Sequence, residues 1–407
     1  MKKVLVIGYV WPEPNSSAAG RHMLSILRLF KKQGWQLEFA SPAQPTEHMT
    51  DLSAEGISSK SIVLNCDSFD QYISEMQPDI VMFDRFMMEE QFAWRVEKNC
   101  PSALKILDTE DLQCLRHARH QALKASREMS QSDLFSDLAK REIAAILRCD
   151  ISLIISAYEM ELLIDTFKLD PKLLLHLPFM VELDKIKKPT LSFEKRQHFL
   201  MIGNFRHAPN WDAVLHMQKI WPLIKQQLPA AECHIYGSYP PPKATALNNA
   251  ETGFLIKGWA ESALAVIEKA RVCLAPIRFG AGIKGKLLEA MIMQTPSVTT
   301  TVGSEGMHND EAWPGIVTDE IDEFAQAAVK LYSNQELWLG AQENAGILLA
   351  LQYDAEKLAG KLIDKILSTE ENLQQHRLNN FTGAMLKHHS MMSTKYMSQW
   401  IAEKNKK

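Results

Sequence analysis

The sequence predicts two doubly wound α/β domains, each a parallel sheet covered on both faces, with a ligand cleft between them. Three observations predict it. The chain has 407 residues, and at roughly 150 residues per domain that length suits two or three domains. Short, continuous apolar runs alternate with longer amphipathic segments, the pattern of buried parallel strands joined by helices. The rhythm occurs twice, on either side of a charged linker, 184–198, that contains Pro189.

In the first unit, 1–183, the strand candidates are Val4–Gly8, Leu37–Ala40, Ile62–Leu64, Ile80–Phe83, Ile106–Leu107 and Ile151–Ile155. The opening MKKVLVIGY is basic and then apolar, but its run stops at Tyr9, too short for a cleaved leader, so a first strand is expected. Ala18–Lys32 places Met23, Leu24, Leu27 and Phe30 on one helical face. Residues 111–148 are expected to form one long helical block. In the second unit, 199–349, the strand candidates are Phe199–Gly203, Cys233–Tyr236, Phe254–Ile256, Val272–Pro276, Ser297–Thr300 and Gly315–Thr318. Helices are expected at Trp211–Gln226, Glu261–Ala270, Gly285–Met293 and Asp322–Tyr332. The remainder, 350–407, is helical in pattern. Leu358, Leu362, Ile363 and Ile366 recur at helical spacing, and Met385, Met392, Tyr396 and Trp400 share one side of the last segment. A helix packed on the body by that side is one reading; an interfacial helix touching lipid is the other.

Forty-five basic and 49 acidic residues give a net charge of −4. That excludes a general polyanion field, and aromatic residues are not interleaved with a basic stripe, so nucleic acid is not an expected partner. Six scattered cysteines without a CxxC pair read as reduced thiols of a cytoplasmic protein. No run approaches the ~18 apolar residues of a membrane span. There is no HExxH, no Cys/His cluster and no DxD, and His388-His389 lack ligand spacing, so no metal or cofactor is expected.

The chemistry concentrates at Pro276-Ile-Arg-Phe-Gly-Ala-Gly-Ile-Lys-Gly-Lys-Leu-Leu-Glu-Ala-Met291. A strand ends, a loop with Gly280, Gly282 and Gly285 follows, and a helix begins. Free amides at a helix start bind an anion, and glycine lets it approach closely. Lys284 and Lys286 add point charges suited to a diphosphate, and Glu289, a turn further on, can accept two hydroxyls of a diol. The order is neither a GxxxxGK[ST] loop nor a GxGxxG fingerprint. Taken singly, Glu289 reads equally well as a helix carboxylate paired with Lys286, and the lysines as a solvated loop.

This segment, continuing as LLEAMIMQTPSVTTTVGSEG, resembles the donor-binding region of the family 4 (group 1) glycosyltransferases. Ile202-Gly-Asn-Phe-Arg-His-Ala-Pro-Asn-Trp-Asp-Ala-Val214 is similar to the first strand and helix of their C-terminal domain. Leu107-Asp-Thr-Glu-Asp-Leu112 and Ser156–Glu159 are similar to related sequences. The resemblance implies a GT-B fold, with the acceptor held by the N-terminal domain, the nucleotide-sugar donor by the C-terminal one, and a helix near 350–370 crossing back to the first. It implies that Glu289 binds the ribose hydroxyls and Arg206 the diphosphate. It puts Gly280, Gly282 and Gly285 by the transferred sugar, Gly20 near the diphosphate, and Gly258 and Trp259 by the base. It also puts Gly203, Gly303 and Ser304 on the donor side.

Two positions depart from the family pattern: Ala281 stands where a sugar-binding Glu is common, and Trp211 where a second phosphate cation is common. Lys284 or Lys286 can replace that charge. Asp84, Arg85 and, less directly, His117 are the acceptor-side candidates. The expected reaction is retaining, metal-independent glycosyl transfer to a glycan, a lipid-linked or another acceptor, at the inner face of a membrane if the tail touches lipid. Arg206, Lys284, Lys286 and helix-end amides would stabilise the leaving diphosphate. The alternatives are a non-catalytic nucleotide-sugar-binding protein and another GT-B enzyme such as an epimerase.

Overall fold

Two parallel sheets organise the chain. The structure, a computed structural model, describes residues 1–186 and 190–405; Pro189 of the expected linker lies outside the described residues. The first sheet holds β1 (Lys3–Ile7), β2 (Gln36–Ser41), β3 (Ser58–Ser61), β4 (Ile80–Asp84), β5 (Leu104–Asp108), β6 (Ile151–Ile154) and β7 (Leu174–His176) in the order β3-β2-β1-β4-β5-β6-β7. The second holds β8 (Gln197–Ile202), β9 (Cys233–Tyr236), β10 (Phe254–Gly258), β11 (Ala270–Ala275), β12 (Ser297–Thr299) and β13 (Gly315–Val317) in the order β10-β9-β8-β11-β12-β13. Strand order reverses between β1 and β4 and again between β8 and β11. Ligands of open α/β sheets bind outside the carboxyl ends at such reversals.

The apolar runs set the central strands. Val4–Ile7 and all of Ile80–Asp84 and Leu104–Asp108 are buried. Val4 pairs with Leu37 and Ile80, and Phe83 with Leu107. The first helix is Ala18–Lys32, capped by Ser17 accepting from the Gly20 amide and closed by Lys31 and Lys32 in its last turn.

Two expectations fail for physical reasons. The block 111–148 is three helices, Gln113–Lys124, Gln131–Leu134 and Asp137–Arg148. Ser126 turns left-handed at φ 52°, a Ser130/Asp133 capping box restarts the chain, and Ser136 caps the Ala139 amide. The strand expected at Ile62–Leu64 lies at Ser58–Ser61, where all four residues are exposed. An edge strand is held by backbone pairing to β2, which apolarity does not report. β7 and the long helix Gln335–Gln352 were not anticipated.

The helix Ala355–Glu371 follows the second sheet but buries Leu358, Leu362 and Ile366 in the core with Val4, Val6 and Met82 of the first. The last helix, Phe381–Asn405, lies on Phe86–Asn99 and Asp137–Arg148. It does not pack by the face the sequence suggested. Met385, Met392, Tyr396 and Trp400 are exposed, whereas Ser398 is buried and accepts from Arg95. Among the described residues, no helix is long and apolar enough to cross a membrane.

Arg377 fastens this tail. Its guanidinium bonds both Asp150 oxygens at 2.8 Å and the carbonyls of Pro101 and Ala103 at 2.7 Å. Burial would raise the Asp150 pKa, but Arg377 and Lys105 hold it below the ordinary value. Arg377→Ala leaves Asp150, 2% exposed, without that cation and is expected to cost about 3 kcal/mol. A depressed carboxyl contributes stability above its ordinary pKa and loses it in acid. The wild type and the variant should therefore converge at low pH in thermal unfolding scans; a constant offset would refute the assignment.

Candidate active site

The carboxyl ends of both sheets face one cavity of about 690 Å³. On the first side it is walled by the stretch after β1, by Ala18, Ala19 and Arg21 of the first helix, and by Arg85, Glu110, Gln113 and Arg116. On the second it is walled by Gly203, Arg206 and Asn210 after β8, Tyr239 and Trp259 after β9 and β10, and Gly280–Lys286 with Glu289 after β11.

The order of strand, glycine-containing loop and helix after β11 is the one the sequence suggested, but two of its glycines serve domain contact. Gly282 has φ 62°, and a side chain there would meet Asp111 of the other domain. At Gly285 an added Cβ would lie 2.2 Å from that of Ala18. Glycine is required at both because the domains touch there. The helix Gly285–Ile292 starts at the cavity wall. Lys284 is buried and donates to the Gly282 carbonyl at 2.7 Å; Lys286 donates to Asn210 Oδ1 at 2.6 Å. Burial pushes both ammonium groups down to about 8.

Glu289 does not pair with Lys286. Its carboxylate meets the Arg21 guanidinium at 2.7 Å across the cleft. Burial raises its pKa, and Arg21 opposes that rise. Arg206 is exposed at the rim with its guanidinium 3.6 Å from the Tyr239 ring centroid, and Asp212 pairs with Arg278 instead. Trp259 stacks on His48 at 4.2 Å, the two rings 4° from parallel.

Other expected residues stand away from the wall. Gly20 is a packing glycine; a Cβ there would fall 2.6 Å from the Glu13 backbone. Gly258, at φ 72°, accepts from the Gly237 amide beneath Trp259. Gly303 is closed in by Thr299, and Ser304 donates to the Thr301 carbonyl. His117 is exposed outside the cavity, while Arg116 of the same helix lines it. Asp84 is buried behind the wall, accepting from the Tyr9 amide, and its neighbour Arg85 reaches the cavity.

Sequence reasoning missed the groups that hold the two domains together. Arg119 donates to both Glu305 oxygens at 2.7 Å and to the Gly280 carbonyl at 2.9 Å. Glu159 Oε1 accepts from the Leu112 and Gly282 amides, and burial pushes its pKa up to about 7. His120 stacks on Phe279. Apart from Leu112 and Glu159, 47 positions apart, each pair joins residues more than 120 positions apart, so no local pattern announces it. Among the described residues, one group has metal-ligand spacing: His198, Glu232 and His234, at the opposite end of the second sheet. His198 Nδ1 accepts the Glu232 amide, which puts the imidazole proton on Nε2 and makes this a hydrogen-bond network.

Residues 196–334 match the family described as glycosyl transferases group 1. Comparison with curated proteins gives no match. Among solved structures, the chain is similar to a TarM variant of S. aureus in complex with fondaparinux, α-GlcNAc-glycerol and UDP (TM-score 0.69, 11% identity, 90% of this chain and 99% of that one). It is also similar to sucrose-phosphate synthase of Thermosynechococcus elongatus (0.66, 14%, 91% and 100%) and to Anabaena HepE in complex with UDP (0.68, 12%, 90% and 100%). The fold is GT-B, and it is residues 196–334 that carry the match to the glycosyl transferases group 1.

Proposed function

We propose that the protein transfers a sugar from a nucleoside-diphosphate donor to a glycan or lipid-linked acceptor, with retention of anomeric configuration and without a metal. The observation that carries this reading is the convergence of Lys284, Lys286, the start of helix Gly285–Ile292 and Glu289 on one wall of an interdomain cavity. The lysines and helix-end amides receive the diphosphate, where charge grows as the glycosidic bond breaks, and so do the work a divalent cation would otherwise do. Glu289 receives the ribose diol in exchange for Arg21. Trp259 and Tyr239 frame the base. Retention rests on the resemblance of the donor loop. Lipid contact rests on the exposed Met385, Met392, Tyr396 and Trp400, beside Lys395 and Lys404. UDP is the first nucleotide to test because similar structures hold it.

The test is a thermal-shift panel of UDP, GDP, ADP and their sugars, since a bound nucleotide raises apparent stability. One nucleotide should shift the wild type, in buffer containing chelator, and Glu289→Ala should weaken its binding about tenfold or more. A flat panel refutes the reading. Anomeric coupling in the NMR spectrum of the product decides retention.

A further inference from the structure

Two side chains on the first-domain wall are placed by backbone that only glycine adopts readily. Arg85, just after β4, has φ 68°, and Glu110, two residues after β5, has φ 61°. The strand ends interlock: the Arg85 amide donates to the Asp108 carbonyl at 2.7 Å, and the Glu110 amide to Asp108 Oδ1 at 3.2 Å. Both side chains line the cavity. Such outliers persist where the surrounding structure enforces them, and they concentrate where a side chain must be aimed at a ligand.

Glu110 carries the second observation. It is 7% exposed, yet its carboxyl makes no hydrogen bond with any described residue. Buried polar groups are normally satisfied, so one that opens on a cavity awaits a partner from outside the chain. The Arg85 guanidinium lies among three acids, Asp84, Asp108 and Glu110; its Nε is 3.8 Å from Asp84, and it lies over the Tyr9 ring. On the adjoining helix, Arg116 is taken by Asp111. This corner therefore holds more carboxyl groups than unengaged cations, the reverse of the donor wall.

Resting on the transferase reading above, we propose that Glu110, aimed with Arg85 from the first-domain wall, binds a hydroxyl of the acceptor, and that the reacting end of the acceptor is a neutral, hydroxyl-bearing sugar or polyol. A phosphate or carboxylate on that end would be desolvated against the acids. Burial and, next, Asp108 raise the Glu110 pKa, and burial with Asp84 pushes Asp108 up to about 7. The corner thus offers carboxyl oxygens, and at neutral pH a carboxyl proton, to a neutral hydroxyl.

The experiment uses the full chain and the nucleotide sugar found by the panel. Three quantities are read: nucleotide affinity by calorimetry, donor hydrolysis without acceptor, and transfer to paired sugars with and without a phosphate or carboxylate. Glu110→Gly should raise the acceptor KM about tenfold or more. It should leave nucleotide affinity and donor hydrolysis within about twofold, and raise the unfolding midpoint because glycine accepts φ 61° without strain. Glu110→Gln, which keeps a hydrogen-bonding group, should fall between the two and discriminate less against charged acceptors. An unchanged acceptor KM in Glu110→Gly, or a wild type that prefers the phosphorylated or carboxylated acceptor, overturns the inference. A wild type that neither binds nucleotide nor hydrolyses donor overturns the transferase reading, and this inference with it.

Discussion

Lys286→Met is expected to lower the transfer rate about 10²–10³-fold, the usual consequence of deleting a preorganised group that meets developing charge. The ammonium is held at 2.6 Å by Asn210 on the cavity wall, so no rearrangement is needed when a diphosphate arrives. Its titration gives a second readout. Burial favours the neutral amine and brings Lys284 and Lys286 down to about 8. Below that pH both are cations, as the proposed donor site requires; above it they lose charge. The kcat/KM for donor should therefore be level near neutrality and fall above about pH 8, with a limiting slope approaching two protons. Lys286→Arg keeps its charge throughout and should reduce the slope to one. A profile that stays level through about pH 9.5 would remove the lysines from the diphosphate site.

Arg119→Ala is the second large effect. This guanidinium binds Glu305 through two parallel bonds and the Gly280 carbonyl through a third, joining the first domain to the donor loop itself. Arg119 and Glu305 are only 12% and 15% exposed. Removing one partner strands a largely desolvated carboxylate and should cost about 3 kcal/mol, because the lost pairing is not returned by water. That cost falls on the closed arrangement, since the open one solvates both groups. Activity should drop about 10²-fold at saturating donor, and the radius of gyration should increase in small-angle scattering. Arg119→Ala with Glu305→Ala should be less impaired than Arg119→Ala alone, because no unpaired carboxylate remains. If the single variant keeps full activity and the same radius, closure does not depend on this clamp.

Much of the fold was legible. Ala18–Lys32 was read to the residue from its period, and Cys233–Tyr236 from its apolar run. What failed was local structure set by partners. Ser58–Ser61 is a strand because β2 offers its edge, and 111–148 breaks where serine side chains compete for backbone amides. In the site, Lys284, Lys286 and Glu289 were visible because their chemistry and spacing lie within six residues. Arg21 and Glu110 lie in segments the resemblance marked, yet neither they nor Arg119 were singled out, since their partners stand far away in sequence.

By itself, then, the sequence determined two parallel sheets, their principal strands and a glycine- and lysine-bearing turn into a helix after β11. Each follows from the order of apolar, glycine and charged residues along a short stretch, which is where periodicity and helix-end electrostatics act. Only the tertiary structure decided that Glu289 is held by Arg21, that Gly282 and Gly285 are fixed by contact with the other domain, and that the Met and aromatic side of the last helix faces outward. Those are encounters between residues tens to hundreds of positions apart. Their geometry is set by how two packed domains meet, and no local period encodes it.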